Sequence, residues 1–74
     1  RRMDVPDYIS IIDNRRNQIG MTIRALARKV NMSDDLLSRT LKGKRKMTAS
    51  EFIMLSYVLG LSLEDYPIEA ERAV

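Results

Sequence analysis

The chain has 74 residues, enough for one domain that buries roughly 60% of the surface its unfolded form exposes, and too few for a roomy catalytic pocket. With no Cys and no His it is excluded from disulfides, thiolate chemistry, histidine general-base catalysis and the usual zinc ligand sets, so neither enzyme activity nor a cofactor or metal is expected. The net charge of +3 is unevenly distributed: residues 20–48 carry eight basic and two acidic side chains, residues 49–74 one basic and five acidic, and residues 1–19 four basic and three acidic, the pattern of a polyanion-binding face with a solvated back or of ordinary surface solvation.

Periodicity and capping residues predict five helices with very short joins, and no strand pattern competes. The first helix is expected over Pro6 to Ile19, with Pro6 tolerated in its first turn and Tyr8, Ile9, Ile12 and Ile19 offered to the core. Gly20 stops it. The second, Ile23 to Val30, carries Ile23, Leu26, Ala27 and Val30 on one stripe, with Arg24, Arg28 and Lys29 off it; Ala27 is small where two helices cross closely. Asn31 then occupies the position where a helix ends in a left-handed residue, which Asn tolerates better than any residue but Gly.

The third helix, Asp34 to Lys42, has the sharpest pattern. At 100° per residue, Asp34, Asp35, Ser38, Arg39 and Lys42 share one arc, and Leu36, Leu37, Thr40 and Leu41 the opposite one. Gly43 stops it. The fourth helix, Ala49 to Leu59, offers Phe52, Leu55, Val58 and Leu59 to the core, and Gly60 separates it from a fifth, Leu63 to Tyr66. Thr22, Ser33, Thr48 and Ser62 are N-cap types, each preceded by an apolar residue with a partner five positions on: Met21 with Leu26, Met32 with Leu37, Met47 with Phe52, Leu61 with Tyr66. Those four staples fix how the chain enters each helix, and Glu51 at N3 completes a capping box with Thr48. The result is an all-α single domain over residues 1–74, with its core in residues 6–66 and a tail, 67–74, that is either a short helical extension or disordered.

Met21 to Gly43 resembles the helix-turn-helix of the Cro and phage-repressor type, the xenobiotic-response-element family. The resemblance runs from about Tyr8 to Tyr66 and is carried by IGMT before the second helix, LARKV within it, LLSRTLKGKR, and the closing YVLGLSLEDY. It implies a compact five-helix, lambda-repressor-like domain that lays helix 34–42 in the DNA major groove while the second helix bridges the backbone, usually as a homodimer on two half-sites of double-stranded DNA. By position in that family, the base readers are Asp34, Asp35, Ser38 and Arg39. The implied phosphate contacts are Thr22 with the N–H groups it caps, Arg24, Lys42, Lys44, Arg45 and Lys46.

Five positions depart from the family pattern. Ile23 stands where Gln often clamps a phosphate, and Asn31 where a turn Gly is frequent. Thr40 fills a usually apolar site, and Leu41 replaces a Glu that pairs with an arginine of the first helix, leaving Arg16 to find another partner. Asp34 and Asp35 put acid where the helix meets DNA; they are also good first-turn residues that favour the helix dipole by roughly 0.3 to 1 kcal/mol each. Lys42 to Lys46 equally suit a solvated loop, the methionines at 21, 32, 47 and 54 suit staples and core filling, and Leu63, Tyr66 and Ile68 suit either a core seal or a dimer edge.

The expected function is a sequence-specific DNA-binding transcriptional regulator, a repressor, either standing alone or as the N-terminal part of a longer protein; the start at Arg1 rather than Met suits a trimmed piece. The alternative is a protein-interaction module that kept the fold without sequence-specific DNA binding. No apolar run approaches the roughly 18 to 20 residues of a membrane span, so no membrane association is expected, and no small-molecule ligand is evident. A bacterial or phage-encoded cytoplasmic protein is the expected setting.

Overall fold

Local chemistry at the helix ends dictates the architecture. In the computed structural model, which describes residues 7–66, the order is α1 (Asp7–Gln18), α2 (Ile23–Lys29), α3 (Asp34–Leu41), α4 (Ala49–Leu59) and a 3-10 turn (Leu63–Asp65), with no strand among the described residues. Pro6, Ile68 and the tail 67–74 lie outside the described residues.

Three of the N-caps close as their side chains require. The Thr22 hydroxyl accepts from the Ala25 N–H at 3.0 Å and the Ser33 hydroxyl from the Leu36 N–H at 3.1 Å, each satisfying a donor that the first helical turn leaves without a partner. At α4 the capping box is complete: the Glu51 N–H donates to Thr48 Oγ1 at 3.2 Å and the Thr48 N–H to Glu51 Oε1 at 2.9 Å. Ser62 differs, since the Asp65 carboxylate accepts from the Ser62 N–H at 2.8 Å while the Ser62 hydroxyl donates to that same carboxylate.

All four α-helices end alike. Gly20, Asn31, Gly43 and Gly60 have φ of 71°, 59°, 77° and 71°, and after each the next N–H reaches back five residues, as in Met32 to the Ala27 carbonyl at 2.8 Å and Lys44 to the Arg39 carbonyl at 3.0 Å. These sharp reversals leave little slack, so α1 packs on α3 and α4, and α2 on α3 and α4. The core is Ile9 and Ile12 of α1, Leu26, Ala27 and Val30, Leu37 and Leu41 of α3, Met47, Leu55 and Leu59, and Tyr66, with Tyr8, Met21, Ile23, Met32, Phe52, Val58 and Leu61 packed around it.

Three expectations change, the first being Met54, which is exposed on α4 and does not fill the core. Ile19 is half exposed, because α1 stops at Gln18 and the stripe that began with Ile9 and Ile12 passes to Arg16. Its guanidinium donates to Asp13 Oδ1 and to the Met21 carbonyl, both at 2.8 Å, so Arg16 has the partners that a Glu at position 41 does not supply. The fifth helix is only a 3-10 turn. Tyr66 precedes Pro67, which disfavours helical backbone in the residue before it, and Tyr66 is extended at φ −108°, ψ 147°. Tyr66 nevertheless anchors this end: its ring packs on Phe52 at 4.9 Å between centroids, and its hydroxyl shares a buried 2.6 Å hydrogen bond with Ser56. Burial raises the Tyr66 phenol above its ordinary pKa, Asp65 adds to the rise, and Ser56 opposes it.

Candidate nucleic-acid interface

Burial of Leu37, Thr40 and Leu41 turns the other side of α3 outward, and that side carries exposed Asp34, Asp35 and Arg39 with Ser38 half-buried between them. Thr22 and Arg24 are exposed at the start of α2, and Lys42, Lys44 and Lys46 are exposed around the reversal that follows α3. Asn31 sets the angle between α2 and α3, so the turn's missing Gly is replaced by a residue that holds the same left-handed backbone.

Two arginines on this face are already engaged with its two acids. Arg24 Nε donates to Asp34 Oδ2 at 3.0 Å, tying the first turn of α2 to the first turn of α3 across the helix-turn-helix. Along α3, Arg39 Nη2 lies 3.3 Å from Asp35 Oδ2, the i, i+4 arrangement of a helical ion pair. The three lysines make no ion pair among the described residues.

Arg45, expected to contact phosphate, is half-buried and paired within the chain. Its Nη1 donates to Glu51 Oε1 at 2.9 Å and to Thr40 Oγ1 at 2.8 Å, and its Nη2 to Glu51 Oε2 at 2.8 Å, a bidentate pair that ties the loop to α4 and to the end of α3. Thr40 is fully buried, and its hydroxyl in turn donates to the Leu36 carbonyl at 2.9 Å. The unusual Thr at this apolar site is therefore satisfied on both sides. Glu51 is held below the ordinary glutamate range first by the Arg45 hydrogen bond, with help from the Thr48 N–H and against desolvation, and the same bond raises the Arg45 pKa. Arg45, half-buried and engaged with Glu51 and Thr40, is thereby less available to a phosphate than the exposed Lys44 and Lys46.

Ile23 packs against the core and gives no polar group to the face. Sequence reasoning missed the three ion pairs made by Arg24, Arg39 and Arg45. The Asp35 to Arg39 spacing is a helical signal that could have revealed one; Arg24 with Asp34 and Arg45 with Glu51 cross element boundaries, where spacing carries no such signal.

On another side, α4 and the 3-10 turn expose Ile53 at 63%, Tyr57 at 81% and Leu63 at 67%, all lining one shallow groove of about 260 Å³ over Phe52 and Tyr66. Among the described residues no cluster could hold a metal ion, and no helix is long and apolar enough to cross a membrane.

No curated protein and no solved structure matches the chain significantly. A family model described as helix-turn-helix matches residues 12–66, which spans the second half of α1, α2, α3, α4, all four left-handed reversals and the 3-10 turn. With most of the chain covered and the two helices, their left-handed turn and the exposed α3 face in place, the chain belongs to the helix-turn-helix family of the Cro and phage-repressor type, a family of DNA-binding regulatory domains.

Proposed function

We propose that this protein is a sequence-specific DNA-binding regulator that inserts α3 into the major groove and acts as a repressor by excluding other proteins from the site it occupies. The observation that carries the reading is α3 itself: an eight-residue helix with Leu37, Thr40 and Leu41 buried, Arg39 and Ser38 turned away from them, and exposed Lys42, Lys44 and Lys46 at its end. Arg39 is the cation of α3's outer face, long enough to grip guanine O6 and N7, and Ser38, Asp34 and Asp35 complete the base-reading set. Thr22, whose hydroxyl proton is left to donate, joins Arg24 and the three lysines in contacting phosphates.

Binding as a homodimer on two half-sites is part of the proposal, with Ile53, Tyr57 and Leu63 as the contact between copies. Three large apolar side chains exposed around one groove are more than a scattered surface hydrophobe requires. The rival reading, a protein-interaction module, draws on Ile23 packed against the core and on the two acids that pair with Arg24 and Arg39.

Salt dependence separates the two. Duplex binding should weaken linearly in log–log form with salt, and Lys44→Ala should flatten the slope by about 0.9, the share of one phosphate contact, while weakening all sequences alike. A salt-independent affinity, or a Lys44→Ala loss confined to one sequence, contradicts the assignment.

A further inference from the structure

Both acids on the proposed recognition face are paired with an arginine of that face. Asp34 and Asp35 each hold one of the arginines proposed to contact DNA, at 3.0 Å and 3.3 Å, and both pairs are solvent-exposed, so each can open without disturbing the core. We propose that Asp34 and Asp35 are specificity-determining internal competitors, which occupy Arg24 and Arg39 until DNA offers partners for the arginine and the carboxylate together. The proposal rests on the DNA-binding reading above.

The exchange differs with sequence. On arbitrary DNA, a phosphate takes Arg24 or a base edge takes Arg39, and the displaced carboxylate is left beside phosphates with no donor. One charge-assisted hydrogen bond is exchanged for another, and the stranded acid is repelled. On a site that presents guanine O6 and N7 to Arg39 and a cytosine N4 amino group nearby, the carboxylate also gains a partner, and both halves of the opened pair are satisfied. Rejection of wrong sequences thus comes from a group that favours none of them, which is how discrimination is raised without raising affinity. Because Arg24 lies on α2 and Asp34 on α3, their pair also couples a phosphate contact on one helix to a reading position on the other.

The proposal makes the effect of each acid depend on its arginine, which through-space repulsion between acid and DNA does not. The test is a cycle of four proteins, the parent, Asp34→Asn, Arg24→Met and the double variant, each titrated with random-sequence duplex and with a selected duplex at one fixed low salt concentration. Exposed ion pairs correspond to factors of roughly 1.4 to 5, so Asp34→Asn should tighten binding to random duplex by about that factor in the parent. In the Arg24→Met background the gain should be smaller by the factor that the lost pair supplied, leaving only the relief of acid–phosphate repulsion, and the ratio of selected to random affinity should fall less there than where Arg24 is present. Equal gains in both backgrounds overturn the competitor role while leaving the DNA-binding reading intact. No duplex binding by any of the four overturns both. Matched thermal melts show that each comparison is between folded proteins, and Asp35→Asn with Arg39→Met repeats the test along α3.

Discussion

Thr40→Val replaces a buried residue with one of the same shape, so its effect isolates the hydroxyl. No cavity is made, because Thr40 is fully enclosed and Val fills the same volume. Two hydrogen bonds disappear, from Thr40 to the Leu36 carbonyl at 2.9 Å and from Arg45 to Thr40 at 2.8 Å. Neither partner is stranded: Arg45 keeps both oxygens of Glu51, and a helical carbonyl at Leu36 keeps its backbone donor. The loss is therefore the net value of the bonds, partly offset by burying a methyl in place of a hydroxyl, and comes to about 1 to 2 kcal/mol. For a domain of this size that is a fall in Tm of roughly 4 to 16 °C. Thermal unfolding followed by circular dichroism reads it, on Thr40→Val, Glu51→Gln and the double variant. The two single effects should not add, since both act through Arg45. A Tm that rises in Thr40→Val would refute the reasoning, because it would mean that the Thr40, Arg45 and Glu51 network is a burden that an apolar residue relieves.

Three further outcomes follow from the same geometry. Arg39→Ala should relax base preference at one position of each half-site by about 1 to 3 kcal/mol of discrimination, read from binding to a panel of single-base variants; an unchanged profile removes Arg39 from the readers. Because the folded-state pKa of Glu51 is depressed, the stability it supplies is complete above the unfolded-state glutamate value and is lost as pH falls through the folded value, so the advantage of the parent over Glu51→Gln should shrink in acid; parallel stability curves contradict this. Tyr57→Glu should shift sedimentation equilibrium to monomer and weaken a two-half-site duplex more than a single half-site, whereas equal losses on both place the dimer contact elsewhere.

What was legible in the sequence is what short-range chemistry decides. Thr22, Ser33, Thr48 with Glu51, and the left-handed residues 20, 31, 43 and 60 act within one turn of their own position, and they fix the four α-helices almost to the residue. The outward arc of α3 was legible for the same reason, as a period of 3.6 residues bounded by caps. The fifth helix is only a 3-10 turn because the cap and staple at Ser62 and Leu61 are countered by Pro67, which directly follows the expected segment and holds Tyr66 extended. Ile19 failed because the periodic stripe was extended past the last residue that α1 can place. The site was harder. A Lys or Arg in a basic loop reads the same whether or not it meets a carboxylate on the next helix, so the pairing of Arg45 became visible only once Thr40 and Glu51 were brought to it in space. The same holds for Arg24, ten residues from Asp34 and joined to it only by the turn at Asn31.

Selection from random-sequence duplex DNA at low salt tests the central claim most directly. The α3 reading predicts enrichment of a dyad-symmetric site whose half-sites are centred about one helical turn apart, roughly 10 to 10.5 base pairs, with guanine at the position whose preference Arg39→Ala abolishes. A pool that stays random after repeated rounds, while the same protein binds a protein ligand through this face, contradicts it.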